Sequence, residues 1–592
     1  MSDRLCLTVL GTADLHGHVL NWDYFADREF DHAGEKVGLA SVGTLVRGIK
    51  AERDRSAEQA DGSGDGRAPV LLVDAGDTIG GTPLAYYHAR VEPITEQRIH
   101  PLAAAMNSLG YDAAVPGNHD FDYGLPLLRD WERQLSFPLL AANVVTRTGQ
   151  QAFRPYVIRS VPGDEHGPVR VGILGLGNPG TEVWDRCRLS GELIFSGLVE
   201  QARFWVPRIR REGADLVLVL AHAGTSGRST YADRENGASE NAAAQIAADV
   251  PGVDAILAGH AHDEIDELVV LNRRSGCPVV ITEPAVAGCR LSVIEIELAR
   301  DAVDPGRWHV ADRGSHLLKA NEVEQDPEIV RLTSSGHDEV VRYLNTRIGT
   351  CPTELRLADT TWRSSAAVDL VNHVQAATVR RGVRGTEHDR LPVLALTSLC
   401  NKKTPIPAGG VAIRHLVALY PFDNLLLAVR LTGAQLRDYL ERAATYFRQV
   451  GGSRPYRSSE LIRAPTRSHP EGAPDYSYDV LGGLDAPVAY DIDVSARPGH
   501  RIRGLSYADR PIADGAEFVV AVNDYRQSGA GLYPHIAAAP VIYDRRQEIR
   551  QLVIDWVRAR GRIDLSEFTG NSGAAWRLVA GNEPVRILDT PE

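Results

Sequence analysis

Short apolar runs recur through the first half of the chain, each bounded by glycine, proline, alanine or a polar residue. Runs of this length and composition are typical of β-strands that are buried on both faces. They are Leu5–Leu10, Val70–Val73, Ala113–Val115, Leu139–Leu140, Val169–Leu174, Leu216–Leu220 and Ala255–Leu257. Stretches with helical spacing, such as Pro101–Leu109 and Leu198–Arg211, lie between several of them. This alternation predicts an α/β layered domain.

The pattern changes after about residue 304. No regular period is visible over Asp304–Val323, and Pro327–Leu344 then has the spacing of one amphipathic helix. From Thr353 onward, helical and strand patterns follow one another in the way expected of an α+β domain. They include helices at Ala366–Arg380 and Thr432–Tyr446 and strands at Leu425–Leu431, Val488–Val494 and Phe518–Val522. Two polar stretches, Arg53–Arg67 and Gly451–Tyr476, are predicted as loops.

Polar side chains with metal-binding or proton-transfer capacity follow five of the predicted strands directly. They are Asp14 and His16, Asp74 and Asp77, Asn118 to Asp122, His222, and His260 and His262. In open α/β sheets, ligand sites gather at the carboxyl ends of the strands. We therefore expect these five clusters to meet in one place.

Seven of these side chains are candidate metal ligands: Asp14, His16, Asp77, Asn118, His222, His260 and His262. Seven are too many for one tetrahedral zinc ion and suit two metals that share a carboxylate, which we expect to be Asp77. The imidazole-rich set favours Zn, Mn, Fe, Co or Ni over Mg or Ca, without choosing among them.

The residues beside Asn118 have different expected roles. His119 can point at a substrate as an acid or electrostatic clamp, and Asp122, three positions on, can accept a hydrogen bond from its second ring nitrogen. Asp120 is expected to fix the loop through backbone hydrogen bonds.

Composition limits the classes of partner that the chain can bind. The 592-residue chain has a formal net charge of −13, so no general basic field exists for a nucleic-acid polymer or an anionic membrane. We find no apolar stretch of membrane-spanning length, and the apolar run at Leu5–Leu10 is too short for a secretory signal. The six cysteines are scattered and suit reduced, structural thiols. We expect a cytoplasmic chain, or one whose natural start has been trimmed, with no expectation for its oligomeric state.

The motifs Asp14-Leu15-His16, Gly76-Asp77, Gly117-Asn118-His119-Asp120, His222 and Gly259-His260-Ala261-His262 resemble the signature of the calcineurin-like metallophosphoesterases. The two-part layout is similar to that of the 5'-nucleotidase family among them. The resemblance implies a four-layer αββα catalytic domain at residues 1–325, a linker helix at 326–350, and an α+β substrate-binding domain at 351–592.

The resemblance also implies a chemistry. One metal is held by Asp14, His16, Asp77 and His262, and the other by Asp77, Asn118, His222 and His260. A metal-bound hydroxide attacks the phosphoester in line, while the dyad of His119 and Asp122 stabilises the transition state. Members of the family are often exported.

Motifs in the second half bear on the substrate. Phe422 and Tyr525 lie in polar loops, and the aromatic residues that match them in the 5'-nucleotidase family stack on the nucleobase. The segments Tyr478–Gly483 and Tyr490–Asp493 are similar to the 2',3'-cyclic-nucleotide 2'-phosphodiesterase/3'-nucleotidase branch. Where that branch carries Pro-Phe-Lys, this chain has Cys400-Asn401-Lys402-Lys403, and Asn401 is expected to bind substrate.

Three functions follow from these motifs. The first is hydrolysis of 2',3'-cyclic nucleotides and 3'-nucleotides, and the second is hydrolysis of 5'-nucleotides or nucleotide sugars. The third belongs to another class, a catalytically idle nucleotide-binding protein. The retained His119 argues against the third, because a binding module needs no such dyad.

Overall fold

The computed structural model of the protein describes residues 4–59, 69–164, 167–231, 238–301, 304, 306–398, 403–452, 454–464, 473–569 and 575–589. The chain divides into two compact units, Met1–Val340 and Val341–Glu592. The division falls inside the amphipathic helix expected at Pro327–Leu344, which is present with those bounds.

The first unit contains strands and helices in close alternation. Its strands are β1 (Arg4–Thr12), β2 (Val70–Asp74), β3 (Ala113–Ala114), β4 (Val144–Thr146), β5 (Tyr156–Asp164), β6 (Gly167–Leu176), β7 (Leu193–Phe195), β8 (Leu216–Ala221), β9 (Ala255–Ala258), β10 (Glu264–Leu271), β11 (Pro278–Pro284), β12 (Arg290–Arg300) and β13 (Trp308–Lys319). Its helices are α1 (Leu39–Gln59), α2 (Pro83–Tyr86), α3 (Pro101–Leu109), α4 (Leu125–Gln134), α5 (Thr181–Trp184), α6 (Arg186–Leu189), α7 (Leu198–Arg211), α8 (Ala243–Asp249) and α9 (Pro327–Leu344).

Two sheets pack face to face in this unit. One has the strand order β13-β12-β1-β2-β3 and the other the order β10-β11-β9-β8-β6-β5. Apolar side chains from both, such as Leu7 and Val9 of β1 and Leu218 of β8, share one buried cluster. The outer face of the second sheet is covered by α7 and α8 through residues such as Val206 and Ile246. Helix α1 packs against β12 and α3 beside the first sheet. The predicted four-layer αββα fold is confirmed.

Strand register aligns the carboxyl ends that carry the predicted ligands. In the first sheet β1 runs parallel to β2 and β2 runs parallel to β3, with Thr12 opposite Asp74 and Asp74 opposite Ala114. In the second sheet β8 runs parallel to β9, with Ala221 opposite Ala258. The polar loops that follow these strands therefore leave each sheet at one edge.

One local expectation for this unit was wrong, and one strand had no predicted counterpart. The predicted loop at Arg53–Arg67 is helical as far as Gln59, the last residue of α1, and residues 60–68 lie outside the described part. Charged and alanine residues in this stretch are good helix formers, so polarity alone did not indicate a loop. The segment Asp304–Val323, which has no clear period, contains the edge strand β13, whose half-buried and exposed side chains follow no alternating order.

The described part of the second unit contains two five-stranded sheets and two two-stranded sheets. Its strands are β14 (Arg347–Cys351), β15 (Val393–Ser398), β16 (Gly409–Ala412), β17 (Leu425–Thr432), β18 (Pro455–Tyr456), β19 (Asp479–Gly483), β20 (Val488–Asp493), β21 (Ile502–Tyr507), β22 (Arg510–Pro511), β23 (Glu517–Asn523), β24 (Val541–Glu548), β25 (Trp576–Ala580), β26 (Glu583–Pro584) and β27 (Arg586–Ile587). Its helices are α10 (Ala366–Val383), α11 (Ile413–Leu419), α12 (Gly433–Ala444), α13 (Ser458–Leu461), α14 (Asp524–Gln527), α15 (Ile549–Arg560) and α16 (Ser566–Thr569).

One five-stranded sheet of this unit has the order β19-β15-β23-β17-β24, and the other has the order β22-β21-β20-β25-β26. Helix α10 packs on the first of these sheets and against α15. This arrangement agrees with the predicted α+β class. The stretch expected as a loop at Gly451–Tyr476 includes the short elements β18 and α13. Among the helices that the structure describes, none has the length and apolar character needed to cross a membrane.

Candidate metal centre

The backbone of the first unit turns sharply at most of the predicted ligands. Left-handed φ angles occur at Asp14 (52°), His16 (46°), Asp77 (57°), His260 (75°) and His262 (58°). Such angles cost a non-glycine residue about 1–3 kcal/mol and persist only where the surrounding structure enforces them. The strand-end turns therefore hold these side chains in strained conformations that point into one site.

The first group of side chains is Asp14, His16, Asp77 and His262, whose ligand atoms all lie within 4.8 Å of one another. The Nε2 atoms of His16 and His262 are 3.0 Å apart. His262 Nε2 is 3.5 Å from Asp14 Oδ1, and His16 Nε2 is 3.7 Å from Asp77 Oδ2. Two imidazoles and two carboxylates therefore converge as the resemblance implies for one metal.

The second group contains Asp77 again, with Asn118, His222 and His260. Asp77 Oδ2 lies 3.2 Å from His222 Nε2. Asn118 Oδ1 lies 3.1 Å from His222 Nε2 and 2.9 Å from His260 Nδ1. The same Asp77 oxygen thus faces a histidine of each group, which is the arrangement expected of a shared carboxylate.

Hydrogen bonds to carbonyl groups fix the tautomers of two histidines. His16 Nδ1 is 3.0 Å from the Gly80 carbonyl oxygen, and His222 Nδ1 is 2.8 Å from that of Ala75. A carbonyl can only accept, so each Nδ1 carries a hydrogen and each Nε2 directs its lone pair into the site when the ring is neutral. His260 is reversed, because its Nδ1 faces Asn118 and its Nε2 lies 3.7 Å from Glu240 Oε2.

The electrostatics of the site favour positive charge. Burial alone would raise the pKa of Asp77, but His222, His119 and His16 hold that pKa well below its usual range. Burial lowers the pKa of His16 to about 4, whereas His222 has a pKa of about 9 because Asp77 outweighs its burial. Lone pairs and carboxylate oxygens facing one another at these distances are stabilised by a cation between them. The residues fit divalent metal ions.

His119 lies beside the two groups rather than in either. Its Nδ1 is 2.9 Å from Asp122 Oδ2, and its backbone N–H donates to Asp77 Oδ1 over 2.7 Å. Its ring meets that of His16 edge-on at 5.1 Å, and its side chain is 43% exposed. Desolvation lowers the pKa of His119, but the carboxylates of Asp122 and Asp77 outweigh that effect and raise it to about 10. The ring is therefore oriented by Asp122 and open to a substrate.

Asp120 organises the loop, as expected from the sequence. Its buried carboxylate accepts backbone N–H groups from Asp77 (3.0 Å), Gly117 (2.8 Å), Thr78 (2.8 Å) and Ile79 (2.8 Å). Burial and the neighbouring Asp77 carboxylate nevertheless raise the pKa of Asp120 to about 6. These four hydrogen bonds join the loops after β2 and β3.

Replacing Asp120 with asparagine should destabilise this junction. The amide nitrogen would face two backbone donors and leave them unsatisfied, which costs about 1–3 kcal/mol in the free energy of unfolding. Urea unfolding of Asp120→Asn against the parent chain measures the loss. Asp312→Asn, at an exposed position, is the matched control. Equal unfolding midpoints for Asp120→Asn and the parent would contradict this role.

Sequence reasoning missed two neighbours of His260. The ring of Trp184, in α5, stacks on His260 with centroids 5.4 Å apart and planes 22° apart. Glu240 is the second neighbour, with its Oε2 atom 3.7 Å from Nε2 of the same imidazole. Trp184 follows β6, whose last residue, Leu176, pairs with Ala221 of β8. The segment that carries Trp184 therefore begins at the same sheet edge as the loops that carry the predicted ligands. The position of Trp184 after a strand indicated a place near the site, but tryptophan is not a metal-binding residue type.

The aromatic residues predicted to bind the base lie at the same end of two neighbouring strands in the β19-β15-β23-β17-β24 sheet. Phe422 precedes β17 and Tyr525 follows β23, and these antiparallel strands pair with Leu426 opposite Asn523. The two loops are joined because the backbone N–H of Leu425 donates to Asp524 Oδ1 over 3.0 Å. Both rings are half-buried. Asn401 lies outside the described residues.

Comparisons with known proteins agree with this division. The family model of the calcineurin-like phosphoesterases matches residues 7–264, and the family model of the 5'-nucleotidase C-terminal domain matches residues 347–538. A phosphoesterase domain of this kind implies divalent metal ions.

Curated relatives cover most of the chain. The 2',3'-cyclic-nucleotide 2'-phosphodiesterase/3'-nucleotidase of Haemophilus influenzae is 27% identical, over 98% of this chain and 89% of that protein. The trifunctional nucleotide phosphoesterase protein YfkN of Bacillus subtilis is 29% identical over 93% of this chain, which spans 38% of the length of that protein.

A solved structure supports the fold. The 5'-nucleotidase precursor of Thermus thermophilus aligns with a TM-score of 0.61 and 20% identity, covering 98% of this chain and all of the other. At that identity the likeness concerns the fold alone.

Proposed function

Because the chain belongs to the calcineurin-like phosphoesterases and carries the 5'-nucleotidase C-terminal domain, we propose that it hydrolyses 2',3'-cyclic nucleotides and 3'-nucleotides with two bound divalent metal ions. The single observation that carries the proposal is the pair of ligand groups that share Asp77. The names of the relatives that match over most of the chain support the substrate class.

The seven predicted ligands have separate roles in this proposal. Asp14, His16 and His262 would hold one ion and Asn118, His222 and His260 the other, with Asp77 between them. When bound, the ions supply the positive charge that neutralises phosphate oxygens and the Lewis acidity that activates water. Zn, Mn, Fe or Co suits an imidazole-rich set of this kind.

His119 supplies what the metal ligands do not. Its Nε2 is directed away from Asp122, since Nδ1 is engaged with that carboxylate, and a protonated ring can donate from Nε2 to a phosphoryl or leaving oxygen. Asp122 stabilises the imidazolium and holds the ring direction. Asp122, which belongs to neither ligand group, is the carboxylate that favours the protonated ring.

Phe422 is proposed to stack on the nucleobase together with Tyr525. Stacking on an aromatic side chain contributes about 1–3 kcal/mol per base. Phe422→Ala should therefore raise KM for 3'-AMP by about tenfold or more, with little change in kcat. Steady-state kinetics with 3'-AMP and with glycerol 2-phosphate, which has no base, measure the effect. Phe422→Tyr is the control that keeps a ring. An unchanged KM for 3'-AMP in the alanine variant would contradict the role.

A substrate panel tests the proposal as a whole. The purified chain is loaded with Mn²⁺ or Zn²⁺, and product release is measured from 2',3'-cyclic AMP, 3'-AMP, 5'-AMP and UDP-glucose. We expect the highest kcat/KM with the cyclic nucleotide and 3'-AMP. A higher value with 5'-AMP or UDP-glucose would favour the 5'-nucleotidase alternative. Nucleotide binding without any turnover would favour an idle binding protein.

A further inference from the structure

Tyr476 is an exposed aromatic side chain beside Phe422 in the second unit. It is 41% exposed, and its ring meets that of Phe422 edge-on, with centroids 6.1 Å apart and planes at 89°. A base stacked on Phe422 would be perpendicular to the Tyr476 ring. Edge-to-face contact of this kind is an arrangement that aromatic rings favour.

The turn that presents Tyr476 is held at three consecutive residues. Tyr446 donates its hydroxyl to Asp475 Oδ1 over 2.6 Å. The guanidinium of Arg526 donates to the carbonyl oxygen of Tyr476 itself. Tyr533 donates its hydroxyl to the carbonyl oxygen of Ser477 over 2.8 Å.

The three donor side chains, Tyr446, Arg526 and Tyr533, are all buried. Buried hydrogen-bonding groups have few alternative partners, so the turn they hold is rigid. The backbone that carries Tyr476 is therefore held in place, with the tyrosine ring exposed at the surface.

Arg526 links Tyr476 to the second predicted stacking residue. Its guanidinium lies 5.5 Å from the ring centroid of the adjacent Tyr525. It also forms a buried two-point ion pair with Asp479, with Nε 2.8 Å from Oδ2 and Nη2 3.0 Å from Oδ1. Asp479 accepts further hydrogen bonds from the hydroxyl groups of Tyr439 (2.5 Å) and Ser398 (2.6 Å).

The ion pair of Arg526 and Asp479 is thus fixed from several sides. Arg526 holds the carbonyl group of the exposed Tyr476, and it directly follows the half-buried Tyr525 in the chain. A protein gains little stability from ordering an aromatic ring at its surface, whereas a binding site gains affinity from side chains that are ordered before the ligand arrives.

We infer that Tyr476 is a third aromatic side chain of the nucleobase site, contacting the edge of a base that stacks on Phe422. This inference rests on the proposed function and adds a residue that determines how strongly the base is recognised. Tyr476 is a binding residue, and it takes no part in the chemistry at the metal centre.

Kinetics of Tyr476→Ala test the inference. KM for 3'-AMP should rise about fivefold, in line with the loss of one aromatic contact to a base, while kcat stays unchanged. KM for glycerol 2-phosphate should not change. Tyr476→Phe keeps the ring and should behave as the parent. Phe204→Ala removes a 60% exposed ring from α7 and is the matched control.

Several outcomes would overturn the inference. An unchanged KM for 3'-AMP in Tyr476→Ala does so while leaving the proposed function intact. Equal increases in KM for 3'-AMP and glycerol 2-phosphate also do so, because the residue would then act on the whole site.

Equilibrium dialysis with adenosine separates this inference from the proposed function. If the parent hydrolyses no nucleotide but binds adenosine, weaker binding by Tyr476→Ala supports the base contact while the proposed activity fails. Equal binding by both chains, or no adenosine binding by the parent, overturns the inference.

Discussion

The His119→Ala variant is expected to retain its metal ions and lose about 10²- to 10⁴-fold in kcat, the range over which a positioned acid or base contributes to catalysis. The side chain of His119 belongs to neither ligand group, so metal binding should persist. Its Nδ1 is engaged with Asp122 Oδ2 at 2.9 Å, which leaves Nε2 as the atom available to a substrate. Metal content by elemental analysis and kcat with 3'-AMP measure the two parts of the prediction.

The loss of kcat in His119→Ala, compared between substrates with different leaving groups, separates two roles for His119. If the ring donates a proton to the leaving oxygen, the loss in His119→Ala should be much smaller with p-nitrophenyl phosphate, whose leaving group needs no proton. If the ring stabilises the phosphoryl oxygens, the losses should be equal. Asp122→Asn keeps the shape of the dyad and should give an intermediate loss. A fully active His119→Ala chain would contradict both roles.

Asp77→Asn is expected to weaken binding of both metal ions and to abolish turnover, with kcat at least about 10³-fold below the parent. Asp77 Oδ2 faces His222 at 3.2 Å and His16 at 3.7 Å, so an amide nitrogen there removes one ligand from each group. Asparagine is the appropriate substitution because it tolerates the left-handed backbone at φ 57°. It can also still accept the hydrogen bond from the backbone of His119.

The control for Asp77→Asn is His262→Ala. His262 belongs to the first group alone, so that variant should lose one ion and keep the second. Titration with Mn²⁺ after removal of bound metal measures the stoichiometry of each chain. If Asp77→Asn still bound two ions as tightly as the parent, Asp77 would not be shared.

Much of the candidate metal centre could be predicted because its residues are local to strand ends. A buried parallel strand has a recognisable apolar run, and parallel strands place their carboxyl ends at one edge, so Asp14, Asp77 and His222 were brought together by pattern alone. The role of Asp120 was also predictable, since a carboxylate in a tight loop finds backbone donors.

Other features depend on tertiary contacts that no local pattern records. The left-handed backbone at Asp14 and His260 occurs where loops far apart in sequence meet, since the backbone N–H of His260 donates to the Asp14 carboxylate over 3.0 Å. Two other contacts likewise join distant segments. Trp184 stacks on His260, and Arg526 donates a hydrogen bond to the carbonyl oxygen of Tyr476. The edge strand β13 was missed because its half-buried and exposed side chains do not alternate along the strand.

The most direct test of the central claim is a metal titration of the parent chain coupled to activity. Protein stripped with a chelator is titrated with Mn²⁺ while phosphate release from 3'-AMP is recorded. The shared-carboxylate arrangement predicts no turnover without metal and full turnover on binding two ions per chain. Full turnover at one ion per chain, or in the stripped protein, would contradict it.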